Sequence, residues 1–409
     1  MALTIAPERS RPELPHAPVD PTRAPFWASV LLIAQAIACE LDYGKLGIPR
    51  FPVTVVTCLA PIPLLAWRSE RLIDVLRRPP QRAAVLWLAW CTLTIAWSVV
   101  PRSTTVATAT VIGLWATATW FTATYGFARF ARVFTVAMCV FLTAGLVRDL
   151  RVLSQNASLH RFDGYGVFAT DIGRVALLTA VLCVMQLTDR KARGPIVWWG
   201  LSVSVLALVL TGTRTTMIGL VVCLLVIAWK TIGPGRTVAV ALAAAAVVAV
   251  AFSFIPEPTE FVSHDDDGQD FTSVNGRIEI WSATVDAIEV RPAQGYGVLA
   301  GELVLPLASQ AGDLPILVTH AHNMVLELVM TTGMIGFALF VVAIVSLLRS
   351  PRAPVDRSSG VLVLAMLFSG ITEAGFGRPS VLYLLLAAVA TERALQPARV
   401  RRSFRTHAS

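Results

Sequence analysis

The chain is 409 residues long, 55% apolar and only 15% charged, with a mean hydropathy of +0.67. That balance excludes an average soluble domain and a disordered chain, and fits a protein that uses lipid as solvent. The net charge of +8 follows membrane sidedness and lends no support to a nucleic-acid partner.

In chain order, residues 1–25 are rich in Pro and charge and lack the apolar stretch of a secretory signal, so they read as a cytoplasmic N-terminal tail. Apolar runs then predict helices near 26–39, 51–67, 83–100, 104–126, 131–147, 166–188, 197–213, 215–229, 237–255, 323–348, 359–376 and 379–395. A bilayer core takes about 20 apolar residues per helix, so these runs predict an all-α polytopic membrane bundle of about 12 transmembrane helices. Spans one to nine occupy 26–255 and spans ten to twelve occupy 322–395. Between them lies the one large extramembrane piece, 256–321, and a basic tail, 396–409, closes the chain.

Charge asymmetry sets the orientation. With the N-terminus in the cytoplasm, most Lys and Arg fall in inside segments (the N-tail, 68–82, 127–132, 189–194, 230–236, 349–357 and the stretch after 393), while acids concentrate outside. Both termini are then cytoplasmic and 256–321 is a periplasmic loop. The cysteines Cys39, Cys58, Cys91, Cys139, Cys183 and Cys223 all fall inside apolar runs without metal-ligand or redox spacing, and read as small buried apolar residues. No P-loop, dinucleotide fingerprint or metal-ligand cluster occurs, and no cofactor is called for.

Under this topology the polar residues of interest gather at the outer face. Thr211-Gly212-Thr213-Arg214 is the tip between spans seven and eight. An Arg there is either an ordinary interfacial side chain reaching for headgroups or, beside a turn that bares backbone N–H groups, a bidentate grip on an anionic oxygen cluster. In the loop, Asn275 is placed to cap a helix, and Ile278, Trp281, Val285 and Ile288 form one apolar stripe at helical spacing, which predicts an amphipathic helix lying on the membrane. Arg277 sits in its first turn, against the dipole's preference for acids there. Arg291-Pro292 ends the helix and Gly295-Tyr296-Gly297 makes a turn. The Asp265-Asp266-Asp267 run reads as a solvated, mobile loop, with Ca²⁺ binding the lesser alternative.

His320-Ala321-His322-Asn323 opens the next span. Imidazole is the side chain best matched to moving a proton near neutral pH. Two residues apart at a helix start, the histidines are expected to point in different directions, with His320 in the looser approach. Asn323 either orients a ring or caps the helix, and Gly333 and Gly336 are suited to close helix packing. Asp171 and Arg174, three apart in the sixth span, are suited to pair inside the bundle. Arg161, Glu373 and Arg378 flank outer turns and are secondary candidates by location.

His322-Asn323, nine residues, Gly333 and Gly336 together resemble the signature of the O-antigen ligase and polymerase superfamily of bacterial membrane glycosyltransferases. Thr211-Gly212-Thr213-Arg214, Gly276-Arg277 with Trp281, and Gly295-Tyr296-Gly297 resemble its other blocks, in the same order. The likeness is strongest over about 205–345, by the order of its motifs. It is thinner upstream, where Trp97-Ser98 and Arg161-Phe162-Asp163-Gly164 are the best matches and Ala169-Thr170-Asp171 departs from the pattern. The resemblance implies a fold like that of GT-C-type lipid-phosphosugar glycosyltransferases, in the bacterial cytoplasmic membrane, with the site facing the periplasm.

The resemblance further implies a glycan donor on undecaprenyl pyrophosphate and a glycan or lipid acceptor, with membrane lipids and other polysaccharide-assembly proteins as partners. Arg214 and Arg277 would hold the pyrophosphate and His322 would be the base, without a metal and with inversion. Arg161, His320, Asn323, Glu373 and Arg378 would line the substrate site. Ligation to a separate acceptor and polymerisation of repeat units both remain open. A lipid-linked glycan flippase is the competing class, but it calls for repeated halves and midplane charges, whereas here the halves differ and the polar residues gather at one interface.

Overall fold

The computed structural model describes residues 26–41, 69–155, 162, 164–165, 169–188, 192–238, 241, 274–311, 318–349, 359–371 and 375–406. The protein is an all-α polytopic membrane protein, and the described residues contain no strand. The principal helices are α1 (Phe26–Ala38), α2 (Ser69–Leu76), α3 (Pro79–Leu93), α4 (Pro101–Tyr125), α5 (Phe127–Gln155), α6 (Ala169–Thr188) and α7 (Pro195–Thr211). They continue as α8 (Arg214–Ile232), α9 (Val274–Val290), α10 (Gly301–Ala311), α11 (Met324–Arg349), α12 (Ser359–Ser369) and α13 (Val381–Thr406). Among the described residues, five helices are long and apolar enough to cross a membrane: Pro101–Tyr125, Phe127–Arg151, Ala169–Thr188, Arg214–Ile232 and Met324–Arg349. Shorter apolar helices are Phe26–Ala38, Pro195–Thr211 and Ser359–Ser369. The spans expected at 51–67 and 237–255 lie wholly or largely outside the described residues.

Local sequence sets the helix ends. Proline opens α3, α4 and α7, where its missing N–H costs nothing and its fixed φ suits the first turn. Gly212 closes α7 in the left-handed region at φ 59°. The helix α13 is buried around its whole circumference from Val381 to Thr391, as its uniformly apolar sequence requires, and it packs mainly against α4 and α3. Trp87 of α3 stacks on Tyr383 of α13 at 5.8 Å between ring centroids and meets Phe340 of α11 at 5.0 Å. Beside them Gln81 accepts from Trp115 Nε1 at 2.9 Å and donates to Thr391 Oγ1 at 2.7 Å, so this buried amide is held at both its oxygen and its nitrogen.

The bundle also holds an ion triad. Arg174 Nη2 lies 3.0 Å from Asp171 and 2.8 Å from Glu40, whose other oxygen accepts from the Val381 amide at 2.8 Å. The Asp171–Arg174 pair is thus present, extended by a second carboxylate from α1's end. The cysteines in the described residues (Cys39, Cys91, Cys139, Cys183 and Cys223) are free thiols, all buried but the half-buried Cys39.

Three expected helices end differently. The run 83–100 stays α-helical only to Leu93 and tightens into a 3-10 turn at Thr94–Trp97. The run 359–376 is helix only to Ser369, with a separate 3-10 turn at Gly375–Gly377. In both, contacts made by the polar loop and by α11 override the apolar pattern. The helix α5 runs past the apolar stretch to Gln155, and Asp149 beyond that stretch accepts from the Gly164 amide at 3.0 Å.

Candidate active site

The chain enters α11 through His320-Ala321-His322-Asn323, and the backbone there is held at Ala321 and around Asn323. Asn323 Oδ1 accepts from the amides of Val325 at 2.9 Å and Leu326 at 3.2 Å, so Asn323 caps the helix in the usual way. The peptide between the histidines is gripped from two sides. The Ala321 amide donates to Glu327 Oε2 at 2.8 Å, and the Ala321 carbonyl accepts from Trp281 Nε1 of α9 at 3.1 Å. His322 follows at φ 47°, one of two described non-glycine residues in the left-handed region. Such a conformation costs on the order of 1–3 kcal/mol and persists where its surroundings impose it.

The histidines correct the expectation that they diverge. Their rings lie 3.9 Å apart between centroids, tilted by 43°. His320 is 3% exposed and receives or donates a contact with Thr319 Oγ1 at 3.3 Å, whereas His322 is half-buried. The positive φ at His322 turns its side chain back over its neighbour, which residue spacing does not reveal. The buried His320 therefore backs the ring of the more accessible His322.

Glu327 is the residue that the sequence reading missed. It is 2% exposed, lies in the first turn of α11, and has His322, Arg378 and Glu302 within electrostatic range of its carboxylate. A signal was available: Glu327 is the only ionisable side chain in the apolar run 323–348, and an acid within a membrane span is a functional-site candidate by default.

Further along, α11 is broken at Gly333, which adopts φ 69° and ψ 175°. The strand-like loop 292–297 docks into the break. Tyr296 and Gly297 donate to the carbonyls of Met330 at 3.0 Å and Thr331 at 2.8 Å, and Met334 and Ile335 donate to Pro292 at 2.8 Å and Ala293 at 3.3 Å. Trp90 Nε1 takes the Thr332 carbonyl at 2.8 Å. A broken helix thus has its freed groups satisfied by protein, as a low-dielectric setting demands. The same loop is held by Trp97 Nε1 on the Gln294 carbonyl at 3.1 Å, and by the Val99 amide on Tyr296 O at 3.1 Å. Gly295, Gly297 and Gly333 permit this approach: a Cβ on Gly333 would lie 2.1 Å from the Ala293 oxygen, and one on Gly297 would lie 2.3 Å from Ser98 Oγ. The motif glycines therefore join the polar loop to the membrane helix.

The helix α9 turns a different face inward from the one its stripe predicts. Ile280, Ala283 and Thr284 are buried, while Ile278 and Val285 are exposed at 54% and 41%. The Trp281 bond to Ala321 and packing against Leu305, Val318 and Met330 decide the rotation. Arg277 stands one turn before Trp281, half-buried, and by helical spacing shares the face that reaches the histidine loop. Arg214 is exposed at the start of α8. Its turn is seated on α6, where a Cβ on Gly173 would meet Thr213 Oγ1 at 2.3 Å. The helices α8 and α12 run antiparallel, Cys223 pairing with Val361 and Gly219 lying against Phe368. Gly370, just beyond α12, accepts from the Met324 amide at 2.8 Å. These contacts carry Arg214 to the same end of the bundle as His322. Arg378 follows the 3-10 turn whose Gly377 abuts Glu327. Arg161 and Glu373 lie outside the described residues. Among the described residues, no three His, Cys, Asp or Glu side chains converge as metal ligands.

The all-helical membrane bundle thus carries a clamped histidine loop at the start of α11, with Arg214 at the same end and Arg277 one turn before the Trp281 that holds the loop. Residues 199–341 match the family described as O-antigen ligase, and this stretch contains Arg214, Arg277 and His322; the match supports the O-antigen ligase superfamily. It supports an O-antigen ligase/polymerase-type membrane enzyme. No curated protein matches the chain.

Proposed function

We propose that the protein transfers a glycan from an undecaprenyl-pyrophosphate carrier to an acceptor hydroxyl on the outer side of the bacterial cytoplasmic membrane. The observation that carries the reading is the clamped loop at Ala321, which presents a half-buried His322 within the matched domain. The His322 ring takes the proton of the acceptor hydroxyl. The oxygen attacks the anomeric carbon as the bond to the pyrophosphate breaks, and inversion follows from attack opposite the leaving group. Arg214 and Arg277 meet the charge that develops on the phosphate oxygens. Two guanidinium groups suit this role because each offers a planar, bidentate fork. His320 supports the His322 ring, and Arg161, Glu373 and Arg378 contact the sugar or phosphate.

Ligation is the favoured reading, since the matched description is that of a ligase. A deletion strain tests both levels of the proposal by analysis of its lipid-linked glycans. A ligase defect leaves full-length chains on the carrier, and a polymerase defect leaves single repeat units. An unchanged lipid-linked pool in the deletion strain would rule out both.

A further inference from the structure

A buried carboxylate beside the candidate base has no role in packing that an apolar residue would not fill better. Glu327 is enclosed closely: a Cβ on Gly377 would lie 2.2 Å from its Cγ, and one on Gly301 would lie 3.1 Å from its Oε1. Burying a charge at such a depth is expensive, and replacing buried ionic groups with well-packed hydrophobic ones is often neutral or stabilising. The carboxylate instead makes one directed bond, to the Ala321 amide at 2.8 Å, and so fixes the peptide that sends His322 into its left-handed conformation. We propose that Glu327 is the positioning residue of His322, holding the His320–Ala321–His322 loop through the Ala321 amide and so fixing where the imidazole stands. The proposal rests on the reading of His322 as the base.

The test is the rate at which diethyl pyrocarbonate, which attacks only the neutral ring, carbethoxylates His322 in the full-length protein in detergent micelles at pH 8, with peptide mass spectrometry separating His322 from His320. Glu327→Leu, which fills the space but leaves the Ala321 amide without its acceptor, should change the His322 labelling rate by about three- to tenfold and raise hydrogen–deuterium exchange of the 319–323 segment. Glu327→Gln, which keeps an amide oxygen for the Ala321 N–H, should bring both back close to wild type. Wild-type labelling and exchange in Glu327→Leu overturn the proposal, and so does a Glu327→Gln that behaves as Glu327→Leu. Should Glu327→Leu fail to fold, Glu327→Asp, whose shorter side chain falls short of the Ala321 amide, takes its place with the same expected change. Labelling needs no glycan substrate, so normal transfer by His322→Ala would sink the base assignment while leaving this coupling separately measured.

Discussion

Replacing Gly333 with Ala should uncouple the polar loop from the membrane helix. At φ 69° and ψ 175° the residue sits in a region essentially reserved for glycine, and an alanine there costs about 1–3 kcal/mol in backbone strain alone. Its Cβ would also stand 2.1 Å from the Ala293 oxygen and 2.6 Å from the Gln294 nitrogen. Both are backbone atoms, so the loop must move away as a unit. Doing so gives up the four hydrogen bonds from Tyr296, Gly297, Met334 and Ile335, each worth about 1 kcal/mol net. Together the docked state loses about 5–7 kcal/mol relative to an undocked one, a shift on the order of a thousandfold or more. Hydrogen–deuterium exchange of the purified protein is the assay. Amides of 292–300 should lose protection in Gly333→Ala while those of α13 keep theirs, and glycan transfer should fail with them. Gly360→Ala is the control, since its Cβ would meet nothing closer than the Arg393 side chain at 4.0 Å. Native protection of 292–300 in Gly333→Ala would refute the docking argument.

Three further outcomes are expected. Arg214→Ala and Arg277→Ala should each lower transfer by roughly 10- to 100-fold, the loss of a charge-assisted hydrogen bond of about 1.5–3 kcal/mol, with Lys restoring only part because it lacks the planar fork; transfer from purified lipid-linked donor should survive EDTA, and wild-type rates in both Ala variants would remove the Arg side chains from the mechanism. Single cysteines at 266 and 310, in a background without native cysteines, should react with a membrane-impermeant thiol reagent added from outside, and one at 192 only after lysis; outside labelling of 192 would reverse the orientation. His320→Ala should slow transfer by an intermediate factor of about 10-fold, between wild type and His322→Ala, because the ring it removes backs the base rather than being it; a loss equal to that of His322→Ala would show that the two rings act as one unit.

The membrane class and most helix positions were legible because apolar runs near the bilayer length leave few alternatives, as the close match of α4, α8 and α11 to their predicted runs illustrates. The Asp171–Arg174 pair was legible from its spacing, but Glu40 was not, because nothing local links the end of α1 to α6. Gly333 was readable as a place of close packing, yet its partner, the loop 292–297, is separated from it by the whole of α10. The α9 stripe misled because Trp281 follows its bond to Ala321 and turns Ile278 outward. The contact of His320 with His322 depends on one positive φ, which the sequence Ala-His-Asn does not advertise. Glu327 is visible in the sequence as a lone acid in an apolar span, but its bond to the Ala321 amide is set by the turn at His322 and not by spacing.

The account turns on His322, and its most direct measurement is glycan transfer by His322→Ala in the deletion strain, at matched protein level, with binding of the lipid-linked donor measured on the purified variant. A positioned base contributes about 100- to 10,000-fold, so transfer should fall to the level of the deletion strain while donor binding stays near wild type. Normal transfer by His322→Ala would contradict the account, and so would a loss traced wholly to failed donor binding.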